Sequence, residues 1–208
     1  MPFQKSTPHD LRFDLQLISS WVEPESTVLG LGCGEGDLLH HLKLSKNARC
    51  TGIEIDESKV SKCVEKGLNV IQGDIGEEME DYADNSFDYV VLSQTLQQIF
   101  DPADIIRSML RIGRKGIVSF PNFSHWDIRR QLLFAGKAPV SSQLPYQWHD
   151  TPNIRVITIK DFREYAREVG FTILREIAIN TDSNDKSGRR IRFLTNLRAT
   201  YGIFLIGG

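Results

Sequence analysis

What the sequence has little of narrows its class before any motif is read. Cysteine is scarce, with three residues in 208. Cys33, Cys50 and Cys63 are an odd set without metal-ligand spacing, which excludes a disulfide framework and a recognisable metal centre and suits reduced thiols. No run of about eighteen apolar residues occurs, so no membrane-spanning helix is expected. Residues 1–10 are polar and do not read as a secretion signal. Neither sign of charge dominates, because 25 Lys and Arg stand against 27 Asp and Glu, a net charge of −2. Bulk attraction to nucleic acid or to an anionic membrane is therefore not expected, while a small charged substrate or a protein partner stays open. There is no internal repeat. At this length the expectation is one cytoplasmic α/β domain over 1–208, with enough apolar residues for a full core.

What is present is organised around Val28-Leu29-Gly30-Leu31-Gly32-Cys33-Gly34-Glu35-Gly36. An apolar run with β character, broken by glycine, reads as a buried strand ending in a tight loop. Leu38, Leu39 and Leu42 follow at helical spacing, so the loop joins a strand to a helix N-terminus. Glycine there admits positive φ and close approach of a ligand, and the helix start offers unpaired N–H donors, which suits an anion or a cofactor. Gly32, Gly34 and Gly36 make G-x-G-x-G. The dinucleotide fingerprint G-x-G-x-x-G has its third glycine one place later, where Asp37 stands, so a nicotinamide oxidoreductase is disfavoured. A carboxylate, Glu54, closes the next apolar run about twenty residues on, where a ribose-binding acid is expected. Cys33 has two readings: a loop filler, or a thiol of lowered pKa near a helix N-terminus.

Along the chain, Thr7-Pro8-His9-Asp10 carries helix-start signals, and Leu11, Leu15, Ile18 and Val22 then share a face. Strands are expected at 50–55, 68–71, 87–93 and 116–120. Between them Asp56 caps one helix and Asp101-Pro102 starts another, with Ile105, Ile106, Met109 and Leu110 facing in. That alternation demands a parallel sheet with right-handed crossovers. Beyond Pro121, Trp126, Ile128, Leu132 and Leu133 fit one helix. The long stretch 136–152 is too rich in aromatics for disorder, and loops of this length tend to be functional. A helix at 158–169, a strand at 171–179, a solvated loop at 181–190 and a last strand at 200–206 complete the pattern. Arg107, Arg111 and Arg114 compensate a helix dipole, and Arg189, Arg190 and Arg192 form a solvated cluster.

Together the 28–36 stretch, Gly52-Ile53-Glu54-Ile55-Asp56, Val70-Ile71-Gln72-Gly73-Asp74, and Phe87-Asp88-Tyr89-Val90-Val91 with the following Leu92-Ser93-Gln94-Thr95-Leu96-Gln97 resemble the successive motifs of class I S-adenosylmethionine-dependent methyltransferases. More narrowly, Gly116-Ile117-Val118-Ser119-Phe120-Pro121-Asn122-Phe123, His125-Trp126 and the 144–154 segment resemble the methionine biosynthesis family MetW. The resemblance spans about 11–179. It implies a Rossmann-like α/β fold with a seven-stranded, mostly parallel sheet, an antiparallel last strand and helices on both faces. S-adenosylmethionine or S-adenosylhomocysteine would lie across the carboxyl ends of the first two strands. The resemblance further implies a role in methionine biosynthesis, acting with or activating homoserine O-acetyltransferase. Methyl transfer by the chain itself is not guaranteed by such a fold; the alternative is a methyltransferase acting on a small-molecule or protein acceptor.

The resemblance also assigns positions. Gly32, Cys33, Gly34 and Gly36 would turn backbone N–H groups to the cofactor, and Glu54, with Ile55 beside it, would take the ribose hydroxyls. Asp74, next to Ile75, matches the acid that binds the adenine amino group, and Ser93 and Gln94 end a central strand beside the same crevice. Plainer readings stand beside these: Asp74 as the cap of a following helix, Ser93 and Gln94 as partners of loop backbone. Asn122, His125, Trp126, Tyr146, Trp148 and His149, with Asp150, are candidates for the acceptor or partner side. In an extended loop His149 and Asp150 point to opposite sides, which favours a partner-contact histidine over a base, while Tyr146 and Trp148 share a side suited to a lid or an interface. No residue is singled out as catalytic.

One position departs from the superfamily pattern. Gly30 stands where most members carry an acid that ties down the loop. Hydrogen bonds to such a charge are worth about 1.5–3 kcal/mol each. Unreplaced, their loss lowers affinity by about tenfold to a hundredfold, so weak cofactor binding is expected.

Overall fold

Central strands that are apolar on both faces need cover on both sides, and the chain supplies it by alternating strand and helix. The computed structural model describes residues 11–182 and 184–208; the helix-start signals at 7–10 lie outside them. The strands are β1 (Thr27–Leu31), β2 (Arg49–Glu54), β3 (Asn69–Gln72), β4 (Phe87–Ser93), β5 (Gly113–Pro121), β6 (Thr172–Asn180), β7 (Arg189–Ile191) and β8 (Tyr201–Gly207). The helices are α1 (Phe13–Trp21), α2 (Asp37–Lys46), α3 (Glu57–Glu65), α4 (Ile75–Glu78), α5 (Pro102–Ile112), α6 (Trp126–Arg130), α7 (Ile159–Val169) and α8 (Thr195–Arg198). All eight strands join one sheet in the order β3-β2-β1-β4-β5-β8-β6-β7. The pairs among β1 to β5 are parallel, and β8 runs antiparallel between β5 and β6.

The expected sheet had seven strands; the eighth is β7, which falls at the end of the predicted solvated loop. Three residues are too few to show an alternating pattern. Ile191 nevertheless packs into the core at 8 % exposure, and its strand pairs with Ala178–Asn180 at the sheet edge.

One core layer places Leu29, Leu31, Val90, Leu92 and Phe120 against α5 and α7. The other sets Val28, Val91, Ile117 and Ile203 against α1, α2 and α3. Phe162 of α7 anchors the first layer, with ring centroids 5.1 Å from Phe120 and 4.5 Å from Phe204. Helix starts follow the sequence signals. Asp101 Oδ1 accepts from the Ala103 and Asp104 nitrogens at 3.1 and 3.2 Å, and Thr158 Oγ1 accepts from the Asp161 nitrogen at 3.1 Å, satisfying donors that a helix start leaves unpaired.

The segment after β5 differs from its apolar pattern. α6 passes into a π-helical turn, Gln131–Ala135, so the predicted helical face is not kept. Ile128 is buried, but Trp126, Leu132 and Leu133 are exposed. The stretch between this turn and α7 has no helix or strand. Within it the chain folds back on itself, with the Asp150 nitrogen donating to the Gln147 carbonyl at 3.3 Å; His149 and Asp150 therefore sit in a turn rather than in the extended chain expected.

From β1 the chain builds outward through β2 to β3 and then returns to β4 on the other side of β1. Open parallel sheets bind ligands beyond the carboxyl ends of their strands at such a reversal.

Candidate functional site

The loop after β1 gets its shape from glycine. Gly36, the N-cap of α2, has φ 77°, and a Cβ there would lie 2.4 Å from Leu68 Cδ1 and 2.9 Å from Cys63 Sγ. Gly34 is the reverse case. Its φ is 60°, and nothing stands within 4 Å of where a Cβ would project, so a ligand can approach this backbone directly.

Glu54, at the carboxyl end of β2, is 5 % exposed. Its Oε2 accepts from the Gly34 nitrogen at 2.7 Å and its Oε1 from the Asp56 nitrogen at 3.1 Å. The carboxylate thus bridges the glycine loop and the turn into α3. Two oxygens provide about four acceptor sites, so a vicinal diol can still be received alongside these bonds. The same contact holds one nitrogen of the loop, part of the duty that an acid at position 30 was expected to perform. Asp74 serves as the N-cap of the short α4, Oδ1 accepting from the Gly76 nitrogen at 2.8 Å, and it also lines the crevice.

Around these residues lies a cavity of about 750 Å³, within the range of small-molecule sites. Gly32, Cys33, Gly34, Glu54, Ile55, Asp74, Ile75, Ser93 and Gln94 all contribute to its wall, whereas Gly36 turns into the protein as a packing glycine. Three of the loop nitrogens expected to face a cofactor are instead bonded within the protein, Cys33 to the Ile53 carbonyl at 3.1 Å, Gly34 to Glu54, and Gly36 to the Cys33 carbonyl at 3.1 Å. Ile55 is 68 % exposed and offers an apolar surface beside the acid. The Ser93 hydroxyl meets that of Ser119 at 3.0 Å. Gln94 adopts φ 55°, with its nitrogen donating to the Ser119 carbonyl at 2.8 Å and its Nε2 donating to Asp14 at 2.7 Å. Neither Arg12, which also lines the cavity, nor the buried Asp14 was picked out from sequence. The available signal was Asp14 itself, an acid on the apolar face that Leu11, Leu15 and Ile18 define.

A low-pKa thiol is excluded. Burial, and next the neighbouring Cys63, push the Cys33 thiol up rather than down, and the N-cap is Gly36.

Among the described residues, the cavity wall includes none of Asn122, His125, Trp126, Tyr146, Trp148 or His149. Asn122 is 1 % exposed, and its Nδ2 donates to the Ala199 and Asn196 carbonyls at 2.8 and 3.0 Å. Its Oδ1 accepts from the Ile159 and Ser124 nitrogens, both at 3.3 Å, so the side chain knots the end of β5 to α7 and α8. The His125 ring has a buried Nε2 without a hydrogen-bond partner among the described residues, and burial pushes its pKa down, which keeps it neutral at pH 7. Trp126, Tyr146, Trp148 and His149 are exposed.

A family model described as "Methionine biosynthesis protein MetW" matches residues 12–206. The chain belongs to the MetW family. A bifunctional methionine biosynthesis protein MetXA/MetW from Rhodopirellula baltica is 30 % identical over 185 residues, which cover 85 % of this MetW-family chain and 30 % of that protein. The chain thus spans less than a third of that relative's length. A demethylmenaquinone methyltransferase from Listeria monocytogenes is 25 % identical over 176 residues, covering 76 % of this chain and 74 % of that one. Among solved structures, a SAM-dependent methyltransferase from Archaeoglobus fulgidus matches with a TM-score of 0.67 at 14 % identity, covering 94 % of this chain and 91 % of that one. A SAM-dependent methyltransferase from Thermotoga maritima, a possible histamine N-methyltransferase, matches with a TM-score of 0.64 at 16 % identity, covering 94 % and 87 %. At such identities the likeness shows the fold. This MetW-family chain has the Rossmann-like fold of S-adenosylmethionine-dependent methyltransferases.

Proposed function

We propose that the chain binds S-adenosylmethionine or S-adenosylhomocysteine in the crevice over β1, β2 and β4, and that it acts in methionine biosynthesis with homoserine O-acetyltransferase. The observation that carries the cofactor is the Glu54 carboxylate, bonded to the Gly34 nitrogen at a point where no side chain blocks the loop, with acceptor capacity left for a ribose diol. The residues fit such a nucleoside: Glu54 for the sugar, Ile55 and Ile75 for the faces of the base, Asp74 for its amino group.

The partner is supported by the Rhodopirellula baltica relative, in which a MetW part and a MetXA part share one chain. It is supported also by exposed apolar side chains outside the crevice, Leu133, Phe134 and Trp148, which are 76 %, 81 % and 77 % exposed. Exposed aromatic and aliphatic residues of this kind suit a protein interface. A ligand that binds the free chain and the complex with different affinity necessarily shifts their equilibrium, so cofactor level would be coupled to acetyltransferase activity. A second reading, methyl transfer to an acceptor, is favoured by the match to a demethylmenaquinone methyltransferase over most of both chains.

Calorimetry with S-adenosylhomocysteine tests the first part: binding by the wild type and strong loss in Glu54→Ala are expected, and no heat with the wild type would overturn it. Acetyltransferase rates with and without the chain test the second, and equal rates would end it. Labelled methyl passing from cofactor to a cell-extract component, abolished by Glu54→Ala, would bear out the methyltransferase reading.

A further inference from the structure

A groove lies on the α7 side of the sheet, and no residue lines both it and the crevice. Its volume is about 350 Å³, and it is bordered by α7, the 155–157 segment and the start of α5. Leu96 and Phe162, 2 % and 1 % exposed, form the floor, and Val156, 65 % exposed, stands in the wall. That wall is held in place. The Ile154 and Arg155 nitrogens both donate to the Gln97 carbonyl, at 2.9 and 3.0 Å, and the Arg155 guanidinium donates to the Ile99 and Phe100 carbonyls. The groove is therefore formed before any partner arrives.

One rim is acidic. Asp161, Glu164 and Glu168 line the groove from α7, at spacings of three and four residues that put them on one face. They extend over about 10 Å of helix. Against these three carboxylates the wall sets one guanidinium, that of Arg155, already turned to backbone carbonyls. Asp161 accepts from Thr158 Oγ1 at 2.8 Å, and Glu164 meets Lys160 only at 3.7 Å, in an exposed pair of the kind that contributes little. Glu168 has no hydrogen bond or ion pair among the described residues. Its position works against the helix. A carboxylate in the last turn opposes the macrodipole, and Glu164, four residues earlier, repels it. Helix stability gives no reason for an acid there, whereas a cation arriving from outside would relieve both penalties.

We infer that the groove docks a basic amphipathic segment of a protein partner, an aliphatic or aromatic side chain entering over Leu96 and Phe162 while lysine or arginine side chains pair with Glu164 and Glu168. A preformed apolar groove takes an anchor of this kind. Carboxylates spread over two helical turns suit cations spread along a peptide better than one small cation. The same acids repel nucleic acid and anionic membranes. The inference is independent of what the crevice binds, because the two sites share no lining residue.

A random peptide display library, panned on the whole chain, tests it. The wild type should enrich peptides that carry lysine or arginine beside leucine, isoleucine or aromatic residues, and synthetic copies should bind in fluorescence anisotropy. Alanine in place of their apolar residues should abolish binding. The double variant Glu164→Lys, Glu168→Lys should lower affinity for the basic copies by about tenfold or more and favour copies in which glutamate replaces the basic residues. Glu168→Gln alone should leave the melting temperature unchanged or higher, and thermal melts also check that the double variant is folded. Failure to enrich any peptide, enriched peptides without basic residues, or basic peptides whose affinity survives the charge reversal overturn the inference. A lower melting temperature in Glu168→Gln would give that acid to the helix and overturn its pairing role. Sedimentation showing a wild-type dimer that the charge reversal dissociates would assign the groove to a second copy and overturn it likewise.

Discussion

The Glu54 carboxylate accepts a hydrogen bond from the backbone nitrogen of Gly34 at 2.7 Å, across a sequence separation of 20 residues. A side chain on β2 thereby fixes the loop that follows β1, although position 30 has no side chain to do so. In Glu54→Gln, an amide group turned toward either backbone N–H would place donor against donor. S-adenosylhomocysteine affinity is expected to fall by about tenfold to a hundredfold, and the melting temperature should fall as well. Unchanged affinity by calorimetry would contradict the assignment of Glu54 to the ligand.

Gly30→Asp restores the acid that most of the superfamily carries. A Cβ at position 30 would lie 3.1 Å from both Leu39 methyl groups and 3.3 Å from the Cys33 Cβ, so Leu39 has to give way by a few tenths of an ångström. Tighter S-adenosylmethionine binding is expected together with a stability loss of about 1–3 kcal/mol from overpacking. Gly30→Ala isolates the steric part, measured by urea unfolding. Equal affinity in Gly30→Asp and wild type would refute the gain.

His41 gives stability a pH dependence. The ring is 6 % exposed, its Nδ1 has no partner among the described residues, and burial first, then Lys46, push its pKa below the usual 6.5. The folded state therefore refuses a proton that the unfolded chain accepts. Above about pH 6.5 both states are neutral, and stability is unaffected. As pH falls through that value the unfolded state binds more protons and stability drops. Urea midpoints should be lower at pH 5.5 than at pH 7.5, and the difference should shrink in His41→Asn. An undiminished difference in that variant would assign the effect to other groups.

Phe162 contacts three other rings, those of Phe120, Phe171 and Phe204, with centroids at 5.1, 5.7 and 4.5 Å. Phe162→Ala leaves a cavity between α7 and the sheet and should cost about 3–5 kcal/mol. Chemical denaturation checks this, and a loss below about 1 kcal/mol would mean that the layer collapses to fill the gap.

Phe134→Ser and Leu133→Ser remove side chains that are 81 % and 76 % exposed. Changes at such sites usually alter stability by no more than about 0.5 kcal/mol. If the chain acts with homoserine O-acetyltransferase as proposed, activation of that enzyme should nevertheless weaken in proportion to lost complex, with cofactor affinity unchanged. Full activation by the double variant would move the interface elsewhere.

The legible parts of the fold were those where local chemistry and packing agree. The strand at 87–93 matches β4 residue for residue, and Asp56, Asp101 and Thr158 cap the helices their spacing announced. Glu54 was legible as the acid that closes β2, whereas its bonds to the Gly34 and Asp56 nitrogens were not. The tie between Arg12 and Gln94 through the buried Asp14 was not legible either. Asp14 and Gln94 are 80 residues apart, and no local pattern reports a pairing of that range. The exposure of Trp126 and Leu133 was hidden for a related reason: an apolar helix looks the same whether it covers a core or faces outward. Asn122 looked like a ligand group, yet a buried amide holding four backbone groups is equally compatible with its sequence setting.

β8 carries a consequence for how the molecule assembles. The strand that bridges β5 to β6 is made from residues 201–207, after β6 and β7 have been synthesised. Because chains emerge from the ribosome in order, the first five strands can associate early. β6 and β7 must wait beside an unfilled slot until Tyr201 and the residues after it are released. Until then the open edges of β5 and β6 are the surfaces most exposed to mispairing with other nascent chains.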